Sequence, residues 1–188
     1  MKLQYMPRIV IPSVALIFSA CGGKPEPLPV VERVDLKRYT GTWHEIARLP
    51  QWFQRGCYNA TAEYCLNDDG SLKVINRFGK VDDEPSRAEC RPLGVEGSNN
   101  AKLKVRFDNW FSRLLPTIAE GNYWIIHLSE AYDVVMIGEP EREYLWILAR
   151  QPELPDQRYE KLVARAKELG FPVDQLKRNR NLVPGDGS

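Results

Sequence analysis

The sequence predicts an all-β protein, an eight-stranded up-and-down antiparallel barrel with one C-terminal α-helix packed on its wall. Three observations lead there. From residue 38 onward, short β-rich runs alternate with turn signals at close spacing. Eight such runs follow one another in neighbour-to-neighbour order, so a sheet built from them can close on itself and remove its exposed edges. A single stripe of helical periodicity then follows the last run.

The first strand is expected over residues 42–47. Runs 58–66 and 72–78 flank Asn67-Asp68-Asp69-Gly70, whose Asp-Gly step supplies the left-handed conformers of a tight hairpin. Runs 87–95 and 102–108 are joined through Gly97-Ser98-Asn99-Asn100, and 122–128, 133–138 and 144–150 complete the set. The last two flank Glu139-Pro140-Glu141-Arg142, a polar turn with a proline where no ladder donor is needed. In the helix, Asp156 is the expected cap, Tyr159, Leu162, Val163, Ala166 and Leu169 form the apolar stripe, and Gly170 with Pro172 provides the stop. Lys161 and Arg165 fall on other faces, so the helix reads as structural. Residues 173–177 are expected to add a short final strand.

At 188 residues the chain has the length of one ordinary domain, and 26 basic against 25 acidic side chains give no electrostatic footprint for nucleic acid. The basic cluster Lys177-Arg178-Asn179-Arg180 reads as a solvated tail. Residues 1–20 form a secretory signal pattern: Lys2 and Arg8 make a positive n-region, and 9–18 is an apolar stretch too short to span a bilayer. Phe18-Ser19-Ala20-Cys21 resembles the bacterial lipobox, which implies cleavage before Cys21 and a diacylglyceryl cysteine there. Gly22 and Gly23 in place of an aspartate resemble the sorting rule for the outer membrane. Pro25, Pro27 and Pro29 then forbid a helix or central strand, so 21–33 reads as a lipidated N-terminus with a Pro-rich tether. The domain is expected over 34–178, with a tail at 179–188.

Gly41-Thr42-Trp43 within the run 35–48 resembles the Gly-x-Trp signature of the lipocalin family, and specifically that of bacterial outer-membrane lipocalins and apolipoprotein D. Tyr132-Asp133-Val134-Val135-Met136-Ile137-Gly138 resembles the second family motif. Tyr144-Leu145-Trp146-Ile147-Leu148-Ala149-Arg150 resembles the third. The resemblance covers roughly 34–177 and implies a barrel that binds a hydrophobic small molecule, such as a fatty acid or lysophospholipid, without cofactor, metal or catalysis. It also implies that Gly41, Trp43, Tyr132 and Arg150 are structural, Trp43 plugging one barrel end under the Arg150 guanidinium. Oligomeric state stays open, a homodimer included.

A ligand site must then come from inward-facing residues higher up the strands. Placing Arg150 inward puts Leu148, Trp146 and Tyr144 on the same face, because side chains alternate. On the run 122–128 two sets compete for the inside: Tyr123, Ile125 and His127, or Trp124, Ile126 and Leu128. The connection holding Trp110, Phe111, Arg113, Leu114 and Leu115 is far more apolar than loops normally are and reads as a lid, a ligand contact or a patch resting on membrane. Arg113 is the candidate partner of an anionic headgroup there.

With Cys21 lipidated, Cys57, Cys65 and Cys90 remain. Cys57 and Cys65 stand at opposite ends of one strand, about 26 Å apart, and cannot bond to each other. A Cys57–Cys90 bridge stays open. The competing function is a lipid-modifying enzyme on the same barrel, with Cys65 or Cys57 as nucleophile and His127 as base. No Gly-x-Ser-x-Gly elbow, glycine-rich phosphate loop or Cys-x-x-Cys spacing accompanies it.

Overall fold

A computed structural model of the protein describes residues 26–51, 57–80, 83–107 and 121–179. Eight strands, β1 (Gly41–Arg48), β2 (Cys57–Leu66), β3 (Leu72–Lys80), β4 (Asp83–Gly94), β5 (Lys102–Phe107), β6 (Gly121–Leu128), β7 (Val134–Gly138) and β8 (Leu145–Ala149), pair antiparallel in chain order. β1 pairs with both β2 and β8, which closes the barrel. The fold expected from the sequence is the fold found.

Side-chain alternation divides the apolar residues into two layers. On β8, Leu145, Ile147 and Ala149 face outward with Ala47 and Met136, beneath Leu162 and Ala166 of the helix α2 (Asp156–Glu168). Trp146 and Leu148 face inward, among Val135, Ile137 and Trp43. All five residues of β7 are buried because both its faces are covered, which is why Val134–Gly138 reads as a continuous apolar run without alternation. Helix α2 ends in two reciprocal bonds, Gly170 N to Lys167 O at 3.0 Å and Phe171 N to Ala166 O at 3.1 Å, and Phe171 is thereby turned into the outer layer.

Several local expectations need correction. Asp156 does not cap α2; Pro155 occupies that position, and Asp156 in the first turn pairs with Arg178 at 2.5 Å. Residues 173–177 do not form a strand: Val173–Gln175 is a 3-10 turn, and only β9 (Lys177–Arg178) joins the edge of β1. Lys177 and Arg178 are thus part of the sheet, and the Asn179 backbone N–H donates to Ile46 O at 2.8 Å. In the β2–β3 turn Gly70 alone is left-handed, at φ 77°, and Asp69 is not. A short helix, α1 (Leu36–Tyr39), precedes β1 without having been anticipated; Asp35 caps it by accepting from Lys37 N at 2.9 Å and Arg38 N at 3.3 Å.

The competition on β6 resolves in favour of neither set. Tyr123 and Ile125 face inward, a bulge intervenes between Ile125 and His127, and Leu128 faces inward after it. One extra residue exchanges the two faces midway along the strand.

Candidate calyx

The strand directions define two barrel ends. β1 begins and β8 finishes at the same end, and that end is closed. Trp43 is fully buried there, its indole Nε1 donating to Tyr39 O at 2.9 Å. The Arg150 guanidinium lies 3.9 Å over the Trp43 ring and donates to four carbonyls, those of Tyr132 (3.2 Å), Thr42 (3.0 Å), Arg38 (2.9 Å) and Tyr39 (3.2 Å). Burial lowers the pKa of Arg150, and its cationic form is retained by the carbonyls it serves and the aromatic face beneath it. Gly41 adopts φ +94°, and a Cβ there would stand 3.2 Å from Arg150 Nη1, so the motif glycine meets both a backbone and a space requirement. Tyr132, at φ 57°, accepts from Asp35 N at 3.0 Å through its hydroxyl and carries Arg38 over its ring at 4.0 Å. The four motif residues therefore converge on one end, where they tie α1, β1 and β8 together.

Above the plug, Leu148 and Trp146 line the inner wall as alternation requires, and Tyr144 stacks on Trp146 with ring centroids 6.1 Å apart and planes 22° from parallel. Trp110, Phe111 and Arg113 lie outside the described residues.

Two polar features inside the barrel were not foreseen. Tyr123 is the hub of a phenol cluster, its hydroxyl 2.9 Å from that of Tyr39 and 2.7 Å from that of Tyr64. Desolvation by burial pushes all three phenols well up, so they remain protonated and act as neutral hydrogen-bonding groups at the calyx floor. The second feature is a buried ion pair between Glu45 and Arg48, each 7% exposed. Register places Glu45 opposite Leu148 and Arg48 opposite Trp146, hence both face inward. Strict alternation from Trp43 would have turned Arg48 outward; the bulge between Glu45 and Ala47 reverses it. Arg48 also donates to Cys57 O at 3.3 Å, and Asn179 Nδ2 donates to Glu45 at 2.7 Å. The network bridges the seam where β1 leaves β2 and takes β9 as its neighbour. No sequence periodicity marks it, because its position depends on the bulge and on Asn179, 134 residues away.

The cysteine chemistry does not assemble. No disulfide joins Cys57, Cys65 and Cys90 to one another. Cys90 pairs in register with Val74, and Val74 with Tyr64, so it sits at the level of Tyr64, seven residues along β2 from Cys57. That is a separation of about 20 Å, beyond the reach of a disulfide. His127 shares its pair with outward-facing Met136, and burial followed by the charges of Arg165 and Arg158 lowers its pKa. β2 and β6 lie four strands apart, on opposite sides of the barrel, so neither Cys57 nor Cys65 meets His127.

Comparison with known proteins agrees with the geometry. A family model described as a lipocalin-like domain matches residues 34–181. The chain belongs to the lipocalin family. Among lipocalin relatives, the outer membrane lipoprotein Blc of Citrobacter freundii is 34% identical over 177 residues, 93% of this chain and 96% of that protein. Apolipoprotein D of Bos taurus is 31% identical over 163 residues, 79% of this chain and 81% of that protein. Insecticyanin from the tobacco hornworm Manduca sexta shares the lipocalin fold with a TM-score of 0.65 at 18% identity, over 85% of this chain and 86% of that one.

Proposed function

We propose that this lipocalin is a lipid-anchored protein of the bacterial envelope that binds a single-chain amphiphile, a fatty acid or lysophospholipid, in its calyx and catalyses no reaction. The observation that carries the reading is the division of the barrel into a plugged end and a wall above it, where Trp146 and Leu148 present apolar area inward over the Trp43–Arg150 closure, beside the self-paired Glu45 and Arg48. An acyl chain entering such a space gains about 0.8 kcal/mol for each methylene removed from water. Affinity should therefore rise with chain length until the floor is reached. The Phe18-Ser19-Ala20-Cys21 sequence and the similarity to an outer membrane lipoprotein of Citrobacter freundii support the anchor and the outer-membrane location. Trp110, Phe111 and Arg113 are proposed as rim contacts, with Arg113 meeting the headgroup, and Tyr144, Trp146 and Leu148 as wall contacts.

The test is a titration of the mature protein with fatty acids and lysophospholipids of increasing length. The expected result is a saturable change in tryptophan fluorescence whose affinity grows with chain length, weakened in Trp146→Ala while the circular dichroism spectrum is kept. Saturable binding absent from the folded protein at every chain length would overturn the binding reading, and Cys-dependent turnover of a lipid ester would restore the enzyme.

A further inference from the structure

The segment leading into the barrel is pinned at a particular height. The carbonyl of Glu26 accepts from Arg142 Nη2 at 2.5 Å, and two residues later Leu28 is buried in the outer apolar layer with Ile126, Met136, Leu145 and Phe171. Arg142 belongs to the turn between β7 and β8, and its guanidinium is held further by the carbonyls of Leu169 and Pro140. β8 runs from that turn down to Arg150 at the plug, so the turn sits at the open end. Beyond Leu28 the chain descends, with Val31 N donating to Ile125 O at 2.9 Å and Val34 N to Asn99 O at 3.0 Å, and crosses to the closed end. The polypeptide thus enters the fold beside the mouth of the calyx.

Resting on the proposed lipidation of Cys21, we propose that the tether holds the mouth of the barrel against a zwitterionic phospholipid surface, with the Trp43–Arg150 end pointing away, so that ligand passes directly between bilayer and calyx. The lengths decide the orientation. Glu26 lies five positions beyond Cys21, and an extended Pro-containing segment of that length reaches at most about 16–18 Å. An eight-residue strand is about 26 Å long and, at the tilt of a barrel, about 20 Å high. To lay the closed end on the membrane, the tether would have to run back along the full height of the wall, which exceeds its reach. Glu141 and Glu143 are exposed on the same turn. Their carboxylates favour zwitterionic headgroups, because an anionic surface would repel them.

The experiment uses the full acylated protein in phosphatidylcholine vesicles, with a fluorophore on Glu141→Cys at the mouth or on Glu96→Cys at the closed end, both in a Cys65→Ser background. Quenching by phosphatidylcholine spin-labelled on its headgroup should be several-fold stronger at position 141. The difference should disappear when a long Gly-Ser segment is inserted after Gly23. Equal quenching, or stronger quenching at position 96, on protein whose acylation is confirmed by mass overturns the orientation alone. Absence of an acyl group on Cys21 together with no vesicle association overturns the anchor reading and the orientation with it. Circular dichroism of each labelled variant establishes that the fold is intact at these exposed sites.

Discussion

The guanidinium of Arg150 lies 3.9 Å above the indole of Trp43, residues 107 positions apart in the chain, and the pair closes one end of the barrel. The arginine acts through its planar fork: one side chain satisfies four carbonyls from β1, α1 and the β6–β7 turn while its face covers the ring. Trp43→Ala should cost about 3–5 kcal/mol in urea unfolding, the usual cost of emptying a buried aromatic site. Arg150→Lys keeps the charge and loses the fork, with an expected loss of about 1–3 kcal/mol. A Trp43→Ala protein of unchanged stability that loses only ligand would show that Trp43 is a ligand wall and not a plug.

Glu45 and Arg48 predict a different pattern. Removing one partner leaves the other charge buried, so Glu45→Leu and Arg48→Met should each destabilise by about 3–5 kcal/mol, whereas the two substitutions combined should recover much of that loss. Chemical denaturation of the three variants gives the cycle. Additive losses in the double variant would mean that the pair is not coupled through its ion pair.

Acid sensitivity should concentrate at Asp133. Hydrogen bonds from Arg158, at 2.8 and 3.1 Å, and then from Ser129 hold its carboxyl down to about 2. A folded-state pKa depressed below the unfolded value contributes stability that is present above about pH 4 and is lost as pH falls towards 2. Asp133→Asn should therefore flatten the stability curve across that window and leave its neutral-pH slope unchanged. An identical acid limb in the variant would place the titrating group elsewhere.

Anchoring is tested at one atom. Cys21→Ser removes the sulfur that would carry the diacylglyceryl group, so radioactive palmitate should label the parent protein and not the variant, and the variant should leave the membrane fraction. Failure of the parent to take label while still fractionating with membranes would sink the lipoprotein reading.

Backbone periodicity carried most of the architecture. The eight runs, the hairpin at Gly70 and the stripe of α2 are local patterns, and each strand lies within a few residues of its expected position because polar turn residues mark its ends. Inward placement of Trp146 and Leu148 followed from one anchor, Arg150, because β8 is regular and alternation runs through it unbroken. Where a strand is irregular that inference fails. The bulges in β1 and β6 each shift the pleat by one residue, which turns Arg48 inward and exchanges the faces of His127 and Leu128.

What the sequence determined by itself, then, is the eight barrel strands and α2, their order and, through its family motifs, the Gly41, Trp43, Tyr132 and Arg150 closure. What only the tertiary structure decided is which polar groups share the interior. Tyr39, Tyr64 and Tyr123 come from three distant segments, and Asn179 reaches Glu45 from the far end of the domain. A periodic pattern records which face of an element is buried. It holds no record of the partner across the barrel, because closure brings together residues whose separation in sequence is set by every strand between them.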